Sequence, residues 1–343
     1  MLNKNIGGDF SLLSILPFIG TDADFFPKSI GNNTCSLFET GTDGICALIL
    51  ANWENNDRSS FSLWLPIHYC GQTFLRIKQV LSNYGCKLKF NFYEPNGSAE
   101  NYKFSKKDIV IWVHFNCFFP INSHFTNHLK NNDVYILEDF VLAPFDINKM
   151  TGDAAVVSFR KITPLSLSIV YSKHSFPVYN CSTAYSDERR IAAWQKSVFE
   201  ISSEVSLEPL YLERFHKAEF FLDERLTIHT PSKEDEALFK KINWEKIVNI
   251  RKRNYSILFS ELNSKDLNIL SGEYQFLMLS LQERDKVRKA LSVENIFLPI
   301  HWADAQSSLS QTQLSIPIDQ RYSEPDMLQL AAFLKKIIKN YAT

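Results

Sequence analysis

Residues 152–161 read Gly-Asp-Ala-Ala-Val-Val-Ser-Phe-Arg-Lys, and this run decides the predicted fold. Its small and β-branched residues from Ala154 onward predict a buried strand, and Pro164 marks the end of the segment. Ligands of α/β proteins bind beyond the carboxyl ends of such strands. We therefore expect Ser158 and Lys161 to lie at a ligand site.

The two residue types at this strand end favour one cofactor chemistry. A lysine amine condenses with an aldehyde, and a serine hydroxyl three residues earlier can bind a phosphate. Together they predict pyridoxal phosphate, which is held covalently by a lysine and anchored by its phosphate. Most lysines after strands are merely solvated, so the prediction depends on the other segments described below.

Composition excludes several classes of function. The 343 residues include 37 basic and 38 acidic side chains, so the net charge of −1 favours neither nucleic acid nor an anionic membrane surface. Six scattered cysteines form no Cys-x-x-Cys pair and have no histidine at zinc spacing, so we expect no metal site and reduced thiols. The apolar run Ser11 to Pro17 is too short to span a bilayer, and no signal peptide is recognisable. We expect a soluble protein of the cytoplasm.

Apolar strands alternate with helical stretches between about residues 34 and 171, which predicts an α/β fold with a mostly parallel sheet flanked by helices. The predicted strands are Phe61 to Leu65, Cys86 to Phe92, Ile109 to His114, Val134 to Leu137, Ala154 to Phe159 and Leu167 to Tyr171. The predicted helices are Gly44 to Trp53, Thr73 to Tyr84 and Asn122 to Leu129.

The remaining sequence predicts a small C-terminal α+β domain. We place the large cofactor-binding domain at residues 1–200 and the small domain, with its linking helices, at residues 201–343. The predicted elements near and beyond this boundary are helices Asp187 to Ser203 and Glu234 to Leu262, an apolar segment Tyr274 to Leu281, a helix Gln282 to Leu291, a strand Ile296 to Ile300 and a helix Pro325 to Tyr341.

Three further segments contain candidate site residues, and each also has an ordinary structural interpretation. Thr40-Gly41-Thr42-Asp43-Gly44 opens an apolar helix, where amide groups can bind an anion or simply be capped. Asp139 follows the strand Val134 to Leu137; it could pair with a cofactor ring nitrogen or cap the next loop. The segment Leu65 to Cys70 follows another strand, and its aromatic residue could cover the cofactor ring or belong to the core.

Taken together and in chain order, the segments resemble the sugar aminotransferases of the DegT/DnrJ/EryC1 family, which are fold-type-I pyridoxal phosphate enzymes. The resemblance covers nearly the whole chain. It is carried by the segments Ile6 to Phe10, Thr40 to Gly44, Leu65 to Cys70, Leu137 to Asp139, Gly152 to Pro164, Leu298 to Trp302 and Leu314 to Tyr322.

The resemblance implies a role for each matching residue. Lys161 matches the Schiff-base lysine, and Asp139 matches the acid that pairs with the pyridine nitrogen. The amides of Thr42 and Asp43, with the Ser158 hydroxyl, match the phosphate cradle. The resemblance also implies an amino acid as donor, a nucleotide-linked keto sugar as acceptor, and a homodimer whose active sites take residues from both subunits.

Two positions near the cofactor ring depart from the family pattern, and Ser166-Leu167-Ser168 replaces the glycines often found after the lysine segment. Cys70 occupies the place of the aromatic residue that usually stacks on the ring, with Tyr69 beside it, and Leu142 replaces a polar residue that supports the ring hydroxyl. These departures leave open a pyridoxal phosphate enzyme of another outcome, such as a dehydratase, or a non-catalytic paralogue. Dehydratases of this family carry histidine in place of the lysine, so Lys161 argues against the first.

We further expect His301 and Trp302 to pack the small domain against the site, or to be ordinary core residues of that domain.

Overall fold

A computed structural model describes residues 5–20, 25–115, 123–181, 184–263, 267–270 and 275–341. The chain divides into two compact units. The large unit comprises residues 9–114 and 119–243, and the small unit comprises residues 1–8, 115–118 and 244–343. Each unit is described by itself below.

The described strands are, in chain order, β1 Ile6–Gly7, β2 Ser29–Ile30, β3 Asn33–Phe38, β4 Phe61–Pro66, β5 Leu88–Tyr93, β6 Ile109–Val113, β7 Tyr135–Asp139, β8 Ala154–Ser158, β9 Ser168–Ser172, β10 Asn180–Cys181, β11 His229–Thr230, β12 Asn268–Leu270, β13 Phe276–Ser280, β14 Ile296–Phe297 and β15 Gln313–Pro317. The described α-helices are α1 Gly41–Asn55, α2 Gly71–Asn83, α3 Ser123–Asn131, α4 Ala184–Ser202, α5 Leu207–Glu224, α6 Lys233–Lys241, α7 Trp244–Leu262, α8 Arg284–Val293, α9 Leu309–Thr312 and α10 Glu324–Lys339.

The large unit is built on one sheet, in which eight described strands lie in the order β2-β3-β9-β8-β7-β6-β4-β5. Strands β5, β4, β6, β7 and β8 are parallel, whereas β9 is antiparallel to both β8 and β3. The strands β6 and β8 are buried along their whole length, as expected where helices cover both faces. The predicted α/β fold with a mostly parallel sheet is confirmed.

Helices α4 and α5 form a hairpin that belongs to the large unit. Ala192 and Ala193 of α4 pack with Tyr211 and Phe215 of α5, and small residues facing aromatic ones allow a close approach. The predicted boundary between residues 200 and 201 therefore lies inside α4, whereas the units of the structure divide between Asn243 and Trp244.

The small unit has a three-stranded antiparallel sheet of β12, β13 and β15, with β1 pairing parallel to β14. Its core combines the inner faces of this sheet with apolar residues of α7, α8 and α10.

The helix predicted from Glu234 to Leu262 is interrupted at Ile242, which is wholly buried in extended conformation and bridges Ile19. The predicted apolar segment Tyr274 to Leu281 forms β13, and Tyr274 lies outside the described residues.

Within the described part of the chain, no helix is long and apolar enough to cross a membrane. The same residues contain no group of three or more His, Cys, Asp or Glu side chains placed to hold a metal ion. Cysteines 35, 46, 70, 86 and 181, which are the described ones, form no disulfide bond, and Cys117 lies outside the described residues.

Candidate active site

The topology of the large unit gathers the predicted site residues at one edge of the sheet. Asp139 is the last residue of β7 and Ser158 the last residue of β8, and these two strands are parallel neighbours. Lys161 lies in the turn three residues beyond Ser158. Since β3 also runs parallel to β8, with β9 between them, helix α1 starts at this same edge. The structure therefore brings together three of the four segments that sequence reasoning selected.

The start of α1 lies directly against the tip of β8. Gly41 is its first residue, and a Cβ atom added there would stand 3.2 Å from Cβ and 3.7 Å from Oγ of Ser158. The same Cβ would be 3.8 Å from a methyl group of Val141. Glycine therefore keeps open a space where the positive end of a helix dipole meets a buried serine hydroxyl, an arrangement that suits an anion.

The capping of α1 assigns one of the predicted phosphate donors to another partner. Thr40 Oγ1 accepts a hydrogen bond from the Asp43 amide (3.1 Å) and donates one to the Asp43 carboxylate (2.6 Å). Thr42 occupies the second helical position, where an amide has no carbonyl partner within the helix. The Thr42 amide and the Ser158 hydroxyl are therefore the better placed of the predicted donors.

The Asp43 side chain points into a buried cluster of charges rather than toward the space beside Ser158. Its carboxylate pairs with Arg76 (3.3 Å) and with Arg225 (2.7 Å), and Arg225 also pairs with Glu39. Burial raises the pKa of Glu39 to about 7, against the opposing effect of Arg225. This cluster fixes the first turn of α1 to helix α2 and to the segment after α5.

Asp139 is a buried acid with two hydrogen-bond partners. It is 3% exposed, its Oδ1 accepts the Val141 amide (2.9 Å), and its Oδ2 accepts the Tyr69 hydroxyl (3.4 Å). Burial raises the pKa of Asp139 to about 6, although these hydrogen bonds and the nearby Lys161 act in the opposite direction. An acid held in this way gains stability from any cationic or N–H group that binds against it.

Lys161 is partly buried in the turn after β8. Burial lowers the pKa of its ammonium group, and the positive charge of Arg160 adds to this effect. Cys70 and Asp139 act in the opposite direction, so the acid and the lysine lie within electrostatic reach of each other. Lowering the pKa enlarges the neutral, nucleophilic fraction of an amine at neutral pH.

The loop before α2 contributes Tyr69 and Cys70. Tyr69 is 5% exposed and lies beside Asp139, and burial raises the pKa of its hydroxyl well above the ordinary value. Cys70 is the residue preceding α2 and is half-buried. The Leu142 side chain is wholly buried, so this departure from the family pattern places an apolar residue in the core.

Sequence reasoning missed a histidine at this edge. His114 follows β6; its ring stacks on Phe140 at 3.7 Å and 12°, and its Nε2 atom lies 2.8 Å from Glu138 Oε2. The other Glu138 oxygen accepts hydrogen bonds from the amide and hydroxyl of Thr151. A polar residue directly after the apolar strand Ile109–Val113 was the signal that could have identified it. His114 and Glu138 hold the β6 and β7 tips together beside Asp139.

His301 and Trp302 lie in the small unit and make contacts within it. The His301 amide donates to Gln313 (2.9 Å), its ring nitrogen lies 2.7 Å from the Ser315 hydroxyl, and the Trp302 ring packs on Phe115 at 4.9 Å. These contacts agree with core roles in that unit, and the expected packing against the site stays a prediction.

No protein-family model and no curated protein matches the chain. Solved structures do match it over most of its length. The chain is similar to AtS13 from Actinomadura melliaura (11% identity, 97% of this chain and 99% of that chain, TM-score 0.59) and to cystathionine gamma synthase from Xanthomonas oryzae pv. oryzae (10% identity, 89% and 81%, TM-score 0.56). It is also similar to an SPT determined with PLP (10% identity, 90% and 73%, TM-score 0.54). At these identities the likeness shows a shared fold.

Proposed function

We propose that the chain is a pyridoxal phosphate-dependent aminotransferase. The observation that carries the proposal is that Lys161 and the buried Asp139 lie within electrostatic reach of each other at the sheet edge where α1 meets Ser158. Support from the comparisons is limited to the fold, which this chain shares with an SPT determined with PLP.

The residues at this edge suit the three parts of the cofactor. The Lys161 amine would hold the aldehyde carbon covalently, and Asp139 is an acid suited to the ring nitrogen. Ser158, with the opening turn of α1, would bind the phosphate. When bound, the cofactor supplies the electron-withdrawing ring that transamination needs.

Two residues of the chain would then transfer or hold protons. Lys161 is a partly buried amine with a lowered pKa, so it would be suited to take a proton from the substrate and return it at a neighbouring carbon. Asp139 would hold a proton on the ring nitrogen, which relieves the cost of its own buried charge. Tyr69 orients the Asp139 carboxylate through its hydroxyl.

The substrates belong to the same proposal and rest on the family resemblance alone. The donor would be an amino acid and the acceptor a nucleotide-linked keto sugar of surface polysaccharide or glycoside biosynthesis, processed by a homodimer. A second candidate, a non-catalytic paralogue, is favoured by Cys70 and the buried Leu142, which supply neither the usual stacking ring nor the usual polar support.

The experiment starts from purified protein incubated with pyridoxal phosphate. We expect a visible absorption band that Lys161→Ala abolishes, and loss of that band when an amino acid donor is added. Asp139→Asn should keep the band but transaminate roughly 10²- to 10⁴-fold more slowly, the effect of losing a buried charge pair of about 3–5 kcal/mol. A stable band that no donor bleaches would leave cofactor binding intact but contradict the aminotransferase assignment and favour the paralogue.

A further inference from the structure

Arg160, which directly precedes Lys161, is held by a set of contacts that no step above uses. Its guanidinium donates to the Tyr185 hydroxyl (3.1 Å) and to Glu219 (3.2 Å). The other Glu219 oxygen lies 3.5 Å from Arg189, whose guanidinium lies 5.8 Å from the centre of the Tyr185 ring. We call these four residues the arginine anchor.

The anchor joins the lysine turn to two helices far away in sequence. Tyr185 and Arg189 belong to α4 and Glu219 to α5, and Tyr185 is 1% exposed. Because α4 and α5 pack together through their small and aromatic residues, the anchor is fixed to a rigid hairpin. The turn between β8 and β9 is closed by hydrogen bonds from the Ile162 and Thr163 amides to the Phe159 carbonyl (3.0 and 2.9 Å). The attachment of Arg160 to α4 and α5 adds a side-chain constraint directly beside Lys161.

The charge of Arg160 is permanent in this setting. The Glu219 carboxylate, with Tyr185, raises the pKa of Arg160 above its ordinary value. Burial alone would raise the pKa of Glu219, but Arg160 and Arg189 outweigh it and lower that pKa. The anchor thus contains two cations and one anion, and its net positive charge lies next to Lys161.

We propose that Arg160 is a positioning residue for Lys161, fixing the turn that carries it and keeping a positive charge beside its amine. The inference deepens the proposed function, on which it rests for the role of Lys161 as the reacting amine. Among the described residues, the charged or titratable groups that act on Lys161 are Arg160, Asp139 and Cys70. Of these three, Arg160 adds to the effect of burial in opposing protonation of the amine, whereas the other two favour the ammonium form.

The charge is tested on cofactor-free protein by competitive labelling. A limiting amount of acetic anhydride is added at a series of pH values, and acetylated Lys161 is quantified by mass spectrometry. We expect Arg160→Gln to move the pH midpoint of Lys161 labelling upward. Arg189→Met is the matched control, since it removes a cation from the same anchor that does not act on Lys161. An unchanged midpoint in Arg160→Gln, or an equal shift in Arg189→Met, would overturn the proposal.

The positioning is tested with Tyr185→Phe, which keeps every charge and removes one hydrogen bond to Arg160. We expect an unchanged labelling midpoint and roughly fivefold slower capture of pyridoxal phosphate, the effect of one lost hydrogen bond. Capture at the wild-type rate would show that the anchor does not position the lysine. If wild-type Lys161 captures no cofactor, the proposed function fails, whereas the labelling midpoints still decide the influence of Arg160.

Discussion

The buried Asp139 carboxylate should cost stability in the cofactor-free protein, and Asp139→Asn measures that cost. The pKa of Asp139 rises from 3.8 to about 6 because of burial. At 1.36 kcal/mol per pKa unit, this shift corresponds to about 3 kcal/mol. Since the pKa of an acid is raised on folding, the folded state binds the proton more tightly, and the cost grows as pH rises from 3.8 to about 6 and is constant above.

The assay is urea unfolding of cofactor-free wild type and Asp139→Asn at two pH values. The variant keeps an oxygen that can accept the Val141 amide, and its new NH2 group can donate to the Tyr69 hydroxyl that the carboxylate accepts in the wild type. We expect it to be more stable than wild type by roughly 1.5 kcal/mol at pH 5 and about 3 kcal/mol at pH 7.5. If the stability difference between Asp139→Asn and the wild type does not grow between these pH values, ionisation of the buried Asp139 carboxylate does not destabilise the fold and the interpretation is wrong.

Asp108→Asn is the matched control for this measurement. Asp108 is a 4% exposed carboxylate just before β6, and it accepts hydrogen bonds from the Ser62 amide (2.9 Å), the Trp64 indole (3.0 Å) and the Ser105 amide (3.1 Å). An amide side chain has one acceptor oxygen in place of two, so at least one buried donor would lose its partner. We expect this variant to lose roughly 1–3 kcal/mol of stability.

Two other predictions follow from the contacts of the large unit, and a third, the homodimer, follows from the family resemblance. Gly41→Ala should weaken pyridoxal phosphate binding, measured by absorbance titration, because the added Cβ fills the space beside Ser158. Gly44→Ala is the control for this variant. It should instead lower the free energy of unfolding by about 1–3 kcal/mol, because its Cβ would meet Val170 at 2.6 Å. Equal effects of the two on binding would contradict the proposed phosphate position. Arg225→Met should cost about 3–5 kcal/mol in urea unfolding, since it leaves Glu39 and Asp43 buried with one cation fewer; a neutral result would mean the cluster does not support α1. Light scattering at micromolar concentration should give a homodimer, and a fully active monomer would rule out a shared site.

The sequence could predict the central strands because their burial leaves a simple pattern. Strands such as β6 and β8 are covered on both faces and are continuously apolar, so their ends can be located to within a residue or two. Strand β3 was missed, since Asn-Thr-Cys-Ser-Leu-Phe is half polar and mostly only partly buried. Helix α5 was missed as well; its Pro209 is tolerated in the first turn but interrupts the helical pattern when the sequence is read alone.

The candidate site, like the fold, could be predicted from the sequence only where the signal is local. Asp139, Ser158 and Lys161 could be found because each lies at or just beyond the end of a recognisable strand, and parallel strands bring such residues to one edge. The contacts between Arg160 and Glu219, 59 residues apart, depend on how α4 and α5 pack, and no local pattern records that packing. The two partners of Asp43 were hidden for the same reason, because Arg76 and Arg225 come from distant elements.

The central claim is that Lys161 holds pyridoxal phosphate, and reductive mapping tests it most directly. Wild-type protein is incubated with the cofactor, reduced with borohydride to fix the cofactor on the amine that holds it, digested and mapped by mass spectrometry. We predict one modified peptide in the wild type, with the modification on Lys161. Asp139→Asn should give the same modified peptide and no additional one. Modification spread over exposed lysines, or placed mainly on a lysine other than Lys161, would contradict the claim.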